Sequence, residues 1–222
     1  MNLCLFDLDH TLLPLDSDHA WGEFVVALGW ADGPQQRQAN DAFYAQYQDG
    51  TLDIAQYIEF ATRPWRRRPA AAQAAAHERF MRELILPAIR PEALALVREH
   101  RQRGELIAIV TATNEFVTRP IAAAFGVETL IAVELERDAA GAVTGRIRGT
   151  PSFREGKTVR VEQWLRSLGR RVQDSERITV YSDSTNDLPL LELATHPVAT
   201  NPSPALEAIA RERGWPLLKL FP

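Results

Sequence analysis

Cysteine is almost absent from this chain. Cys4 is the only one in 222 residues, so no intramolecular disulfide can form and a reducing compartment suits the composition. It sits inside an apolar run, where a small buried hydrophobe is the expected role rather than a reactive thiol. Long hydrophobic runs are also missing: none spans a bilayer, and Met1-Asn2 leads straight into a strand pattern with no basic segment ahead of it. The expected location is cytoplasmic, without a membrane partner. Nor is there an excess of positive charge. Twenty-five Lys and Arg stand against 29 Asp and Glu, a net charge of −4, so bulk charge recruits no nucleic acid. What is present is 45% hydrophobic and 24% charged, an ordinary globular composition at a length between one and two domains.

The most informative segment is Asp7-Leu8-Asp9, placed where the apolar run Leu3-Cys4-Leu5-Phe6 ends and followed by His10-Thr11. A continuous apolar run reads as a buried parallel strand, and ligands in open α/β sheets bind beyond the strands' carboxyl ends. A carboxylate there is costly to desolvate unless a metal ion or a cationic side chain stands beside it. The alternative is a pair of strand-end acids facing water.

From about residue 15 to 85 the pattern is helical throughout. Trp21, Phe24, Val25 and Leu28 share one helical face, with Ser17 as the expected N-cap and Gly29 as the stop. Ala39, Phe43 and Tyr47 repeat the period up to Gly50, and Leu52 to Ala61 follows, ending near Pro64. A fourth helix starts around Pro69 and runs to Pro87. Strands and helices then alternate: a helix from Pro91 to Gly104, a strand Leu106–Val110 ending at Thr111, a helix Asn114–Phe125 and a strand Thr129–Leu135. A turn at Asp138–Gly141 leads into Val143–Ile147. After it come a helix Lys157–Leu168 and strands Ile178–Tyr181 and Pro197–Thr200. The expected architecture is α/β, a Rossmann-like core of mostly parallel sheet (1–14 and 86–222) with an all-helical insert (15–85) after the first strand.

Three strand ends thus carry polar residues able to converge: Asp7 and Asp9; Thr111, Ala112 and Thr113; Asp183 and Asp187. Asp7 and Asp183 together make a hard-oxygen site of the kind Mg²⁺ takes. Lys157, after Gly156, supplies a fixed cation. Thr111, with the backbone N–H groups of Leu8, Asp9 and Ala112, could hold phosphate oxygens. Acids, one lysine and one hydroxyl suit phosphoryl transfer better than acyl transfer.

These elements, in this order and with a helical insert after the first, resemble the haloacid dehalogenase superfamily over essentially the whole chain. Asp7-Leu8-Asp9-His10-Thr11 looks like its first motif, Val110-Thr111-Ala112-Thr113 its second, Lys157 its third and Tyr181 to Asp187 its fourth. The insert (a C1-type cap) is similar to that of the phosphoserine-phosphatase-like subgroup. The resemblance implies that Asp7 attacks phosphorus to form an aspartyl-phosphate and that Asp9 is the general acid–base. It implies that Mg²⁺ is held by Asp7, Asp183 and the Asp9 carbonyl, and that Thr111 and Lys157 stabilise the transferring phosphoryl. Asp187 and Asn186 would brace the metal's surroundings and Lys157, with Asn186 near the phosphate. The second acid of the first motif distinguishes a phosphatase from a dehalogenase.

The chain departs from the subgroup where Thr111-Ala112-Thr113 replaces Ser-Gly-Gly, Ser182-Asp183-Ser184 replaces Gly-Asp-Gly, and Asp16 stands where a Glu takes the substrate's ammonium. The implied substrate is a small soluble phosphate ester, phosphoserine- or histidinol-phosphate-like. A phosphotransferase or mutase of the same superfamily is the rival enzyme class, and a catalytically silent phosphate-binding module the rival outside it. Arg66-Arg67-Arg68 reads as a solvated basic face, with closure of one arginine over substrate as its functional rival. His10 points either into the pocket or away from it. His19, His77, His100 and His196 lack ligand spacing and read as surface or partly buried residues. Trp21, Phe24, Phe43 and Tyr47 read as helix-packing core.

Overall fold

The fold is that of a computed structural model described over residues 1–221. It begins with β1 (Asn2–Phe6), then α1 (Ser17–Ala27), α2 (Gly33–Gln48), α3 (Ile54–Thr62) and α4 (Ala70–Phe80). A π-helical turn (Met81–Ile85) and α5 (Leu86–Ala88) lead to α6 (Pro91–Gln102), β2 (Leu106–Asn114) and α7 (Glu115–Ala124). Then come β3 (Leu130–Val133), β4 (Leu135–Arg137), β5 (Val143–Ile147) and α8 (Glu155–Ser167). The chain closes with β6 (Arg177–Ser182), α9 (Leu188–Leu193), β7 (His196–Thr200), α10 (Pro204–Arg213) and β8 (Leu217–Leu218).

Six strands form one sheet in the order β3-β2-β1-β6-β7-β8, every neighbouring pair parallel. The alternation of side chains along a strand makes β1 serve two cores. Cys4 and Phe6 join an apolar cluster with Trp21 of α1, Phe80 of α4, Val97 of α6 and Ile121 of α7. Leu3 and Leu5 join the other, with Leu165 of α8, Leu190 of α9 and Leu206 of α10. Helices therefore cover both faces, as an all-parallel sheet requires. No helix among the described residues is long and apolar enough to cross a membrane.

Several boundaries differ from the sequence expectation. β2 does not stop at Thr111 but continues to Asn114, which rejoins β3 at Val133 after a register shift. The expected strand Thr129–Leu135 divides, because Leu135–Arg137 leaves the main sheet to pair antiparallel with β5. The intervening turn is as expected, with the Asp138 carboxylate accepting the Ala140 and Ala142 N–H groups. The N-cap of α1 is Asp16, not Ser17: its carboxylate accepts the His19 N–H at 2.8 Å. α9, α10 and β8 carried no periodicity strong enough to announce them.

Helices α1 to α4 fill the stretch read as a helical insert, and no strand interrupts them. Their apolar faces share the core's own cluster: Trp21, Phe24, Trp65 and Phe80 lie in one body with Phe6 and Leu8. Trp65 stacks on Phe116 of α7, ring centroids 4.0 Å apart. On the far side α3 presses against β5. The Arg66 guanidinium, 13% exposed, pairs with Glu59 and lies over Gly145, whose φ of 93° and missing Cβ both matter. A Cβ there would overlap the guanidinium and the Glu59 carboxylate. Gly145→Ala is expected to lower stability by about 1–3 kcal/mol through overpacking and left-handed strain. Urea unfolding of the two proteins checks this; equal midpoints would refute it.

Candidate active site

Phe6 is in register with both Ile109 of β2 and Tyr181 of β6. Asp7, one residue past β1, therefore stands level with the tail of β2 that carries Thr111 and with the end of β6 that precedes Asp183. The three strand ends meet where the strand order reverses, between β1 and β6. Leu8 makes the turn possible. Its side chain is fully buried and its carbonyl accepts the N–H groups of Thr11, Leu12 and Leu13 at 3.2, 2.8 and 3.0 Å. Only its N–H is left to face a ligand.

Lys157 enters this point from behind. Fully buried in the first turn of α8, its ammonium donates to Asp7 Oδ1 and Asp187 Oδ2, each at 2.7 Å. Burial alone would lower its pKa, but the Asp187 and Asp7 carboxylates outweigh that and raise it, so the charge is permanent. Gly156 is here for space rather than flexibility, since a Cβ would overlap the Pro151 carbonyl. Arg154, at φ 51°, turns the chain into the helix and is held by the Asn186 Oδ1 at 3.3 Å.

Thr11 ties two acids together, its hydroxyl 3.1 Å from Asp7 Oδ2 and 3.3 Å from Asp183 Oδ1. The Asp183 N–H donates back to it at 3.1 Å. Burial, then the Asp7 and Asp187 carboxylates, hold the Asp183 carboxyl well above the usual range. Asp187 is pushed up to about 6 by burial, with Lys157 opposing and Asp7 adding to the rise. Its Oδ2 also accepts the Ser182 hydroxyl at 2.8 Å, while its Oδ1 is buried with no partner. These carboxylates are short of positive charge, one of them has a bare oxygen, and all are hard oxygen donors. That set fits a divalent cation of the Mg²⁺ kind.

Asp9 is built differently. Its Oδ1 accepts the Ser17 N–H at the start of α1 and its Oδ2 the Thr113 hydroxyl, both at 2.8 Å. Burial, then the Asp16 carboxylate, push it up to about 6 while Ser17 and Thr113 pull it back. A carboxyl poised there can give and take a proton near neutrality. Thr111 is buried beside it, its Oγ1 accepting the Thr113 N–H at 3.1 Å.

In front of these groups opens a cleft of about 600 Å³ of atom-free space, part of it open to solvent. Asp7, Asp9, Asp16, Thr111, Ala112 and Asp183 line it, as the sequence predicts for a shared pocket. Asn186 does not. It bonds to the Tyr47 carbonyl at 2.8 Å and so ties α2 to the core. Arg66, Arg67 and Arg68 are likewise absent from the lining; Arg66 docks α3 on β5, and Arg68 lies over the Trp30 ring at 5.3 Å. His10 does face the cleft, at φ 57°, with its Nε2 3.1 Å from the Tyr44 hydroxyl. Trp21 and Phe24 are core as expected, but Phe43 and Tyr47 are cleft wall, joined by Tyr44 and Tyr57. The reading from sequence gave Thr11 and Thr113 a place in the motifs but no role of their own, and it missed Asp18, although its spacing of two from Asp16 was a usable signal. His19 also lines the cleft. His100 is buried rather than superficial, its two ring nitrogens 2.6 Å from Glu105 and 2.8 Å from the Tyr181 hydroxyl. Cys4, expected to be a buried hydrophobe, is one.

A parallel sheet with paired carboxylates, a buried lysine and a threonine at its switch point is the framework of a phosphoryl-transfer enzyme. The haloacid dehalogenase-like hydrolase family matches residues 4–192. A histidinol-phosphatase from Neisseria meningitidis serogroup C (strain 8013) is 42% identical over 217 residues, 98% of both chains. Among solved structures, a protein of unknown function from Bordetella pertussis Tohama I has a TM-score of 0.93 and 50% identity over 99% of both chains. A substrate-bound phosphoserine phosphatase has a TM-score of 0.68 at 17% identity, over 98% of this chain and 92% of that one, a likeness of fold. The chain belongs to the haloacid dehalogenase-like hydrolases, and it is an enzyme of the class that acts on phosphoric monoester bonds.

Removing the lysine tests the electrostatics of the framework. Lys157→Met is expected to cost about 3–5 kcal/mol at pH 7.5, because Asp7 and Asp187 are left facing each other in the interior. Without the cation the folded pKa of Asp187 rises further above its unfolded value, so the cost is complete at high pH and shrinks as pH falls toward the unfolded range. Urea unfolding at pH 7.5 and pH 5 measures it; a deficit equal at both would assign the loss to packing instead.

Proposed function

We propose that this protein is a Mg²⁺-dependent phosphatase for a small cationic amino-alcohol phosphate of the histidinol phosphate kind. It would work through an aspartyl-phosphate on Asp7, with the helices of 15–85 as a cap on a core of 1–14 and 86–222. One observation carries the choice of substrate. Among the described residues that line the cleft, five are carboxylates (Asp7, Asp9, Asp16, Asp18 and Asp183), four are aromatic rings and none is an arginine or lysine. A phosphoserine carboxylate would meet five like charges there and no arginine or lysine. Histidinol phosphate has an ammonium and an imidazole and no carboxylate, and its hydrolysis is what the name of the Neisseria relative describes.

Asp7, Asp183 and the Asp9 carbonyl would hold Mg²⁺, which when bound supplies positive charge to the phosphate oxygens. A carboxylate oxygen of Asp7, kept in place by Lys157 and Thr11, attacks phosphorus, and the bond from phosphorus to the substrate oxygen breaks. Asp9 gives its proton to the departing alkoxide, so the free amino alcohol leaves. Asp9, now ionised, takes a proton from water, whose oxygen attacks the aspartyl-phosphate and releases inorganic phosphate, restoring both acids. The Thr111 hydroxyl and the N–H groups of Leu8 and Ala112 are the donors at hand for the phosphoryl oxygens. Lys157 holds its charge behind Asp7 and never leaves it.

Phosphate release from a panel of esters, with Mg²⁺ or EDTA, tests the reading. Histidinol phosphate is expected to exceed phosphoserine by about 100-fold or more in kcat/KM, since juxtaposed like charges cost several kcal/mol. EDTA and Asp7→Asn should each abolish turnover, and Asp9→Asn should lower kcat by about 10²–10⁴. Equal rates on the two esters would refute the substrate assignment. Loss of substrate without inorganic phosphate would point to transfer onto another alcohol.

A further inference from the structure

Asp18, in the first turn of α1, is 5% exposed and lines the cleft beside Asp16. One of its carboxylate oxygens accepts the Asn114 Nδ2 at 3.2 Å; the other, Oδ2, is buried with no hydrogen-bond partner. A desolvated carboxylate oxygen left without a geometrically formed hydrogen bond is costly, and only the nearby Tyr57 hydroxyl stands to offset it. Burial, then the Asp16 and Asp9 carboxylates, push its carboxyl well above the usual range, with the Tyr57 hydroxyl and Asn114 only partly opposing. Aromatic rings of Tyr57, Tyr44 and Phe43 form the wall on the same side, and the face of such a ring attracts cations. Asp18 makes no contact with Asp7, Lys157 or Thr111 and takes no part in the bond-breaking steps above.

We propose that Asp18 is a specificity-determining residue whose bare oxygen receives an N–H from a nitrogen of the substrate's alcohol portion. This rests on the phosphatase reading for its setting, but not on any step of turnover. Asp16 uses one oxygen on the His19 N–H as the cap of α1, so two acids on one helix start offer two acceptors to the same leaving group. An alcohol with both an ammonium and a ring N–H satisfies both. A simple alkylammonium reaches one.

Calorimetric titration of metal-free protein with free histidinol tests this apart from catalysis. Asp18→Asn is expected to weaken histidinol by about 10- to 100-fold, the loss of one charge-assisted hydrogen bond. The kcat/KM ratio of histidinol phosphate over glycerol 3-phosphate should fall by a similar factor, carried by KM. Asparagine has the shape of the acid, and circular dichroism checks that the variant is folded. Independently of any variant, the Asp18 carboxyl ¹³C resonance of the wild-type protein should move on adding histidinol. Unchanged affinity in a folded Asp18→Asn overturns the proposal, as does an unmoved resonance or a wild-type protein that binds no histidinol. Asp18-dependent binding without phosphate release leaves the assignment standing and defeats the phosphatase reading alone.

Discussion

Everything at the switch point depends on one buried cation. Lys157 has no solvent to fall back on, so its charge is tolerable only because two carboxylates reach it at hydrogen-bonding distance. That requirement propagates outward. It fixes Asp7 at the end of β1 and Asp187 after β6, and it demands that α8 begin close against the Pro151 carbonyl, where only Gly156 fits. It also accounts for the left-handed Arg154 just before the helix, a conformation of modest cost held by Asn186. Asn186 in turn holds α2. The position of Asp7 and the placement of the cleft wall are thus parts of one polar chain that starts at a single ammonium.

The lysine neutralises one charge among many. In front of it the cleft gathers five carboxylates, three of which burial and mutual repulsion hold well above the ordinary carboxylate range. Such a concentration of acid would repel a phosphate dianion unless positive charge arrives with it or before it. Two sources fit, at opposite ends of the cleft. A divalent cation suits the Asp7–Asp183 end, where the donors are hard oxygens, and a cationic leaving group suits the Asp16–Asp18 end, where the walls are aromatic. Under the proposed function, the cleft would take an ester that carries both a phosphate and a cationic nitrogen.

The parts legible in the sequence were those governed by local rules. Strands buried on both faces read as unbroken apolar runs, so β1, β2 and β6 and the polar residues at their ends were visible without a structure. Lys157, one of only two lysines in the chain, was found by its motif. What stayed hidden depends on contacts distant in sequence. Ser17 and Asp16 are both good N-caps, and the choice falls to Asp16 because the Ser17 N–H is taken by Asp9. Phe43 and Tyr47 keep helical spacing like any core aromatic, yet α2 turns them toward the cleft. In the sequence nothing sets Asp18 apart from other acids at a helix start, which the dipole favours; only the fold shows that Asn114, 96 residues away, shares its burial.

The two edges of helices α1 to α4 are bound to the rest of the fold by different physics. Along one edge Trp65 stacks on Phe116, and Trp21 and Phe80 sit in the same apolar body as Phe6. Burying a single large apolar side chain is worth about 1.5–3 kcal/mol, so parting that edge exposes several at once. Along the other edge the ties are mainly polar: the Asn186 amide on the Tyr47 carbonyl and His10 on the Tyr44 hydroxyl, with the Tyr47 ring 6.2 Å from that of Phe153. Such bonds exchange with water for a net of roughly 0.5–1.5 kcal/mol each. Contact for contact, the polar ties are the weaker of the two sets. Tyr44 and Tyr47, which wall the cleft, are themselves the residues these weaker ties hold, so the contacts that shape the cleft wall are among the cheapest to undo.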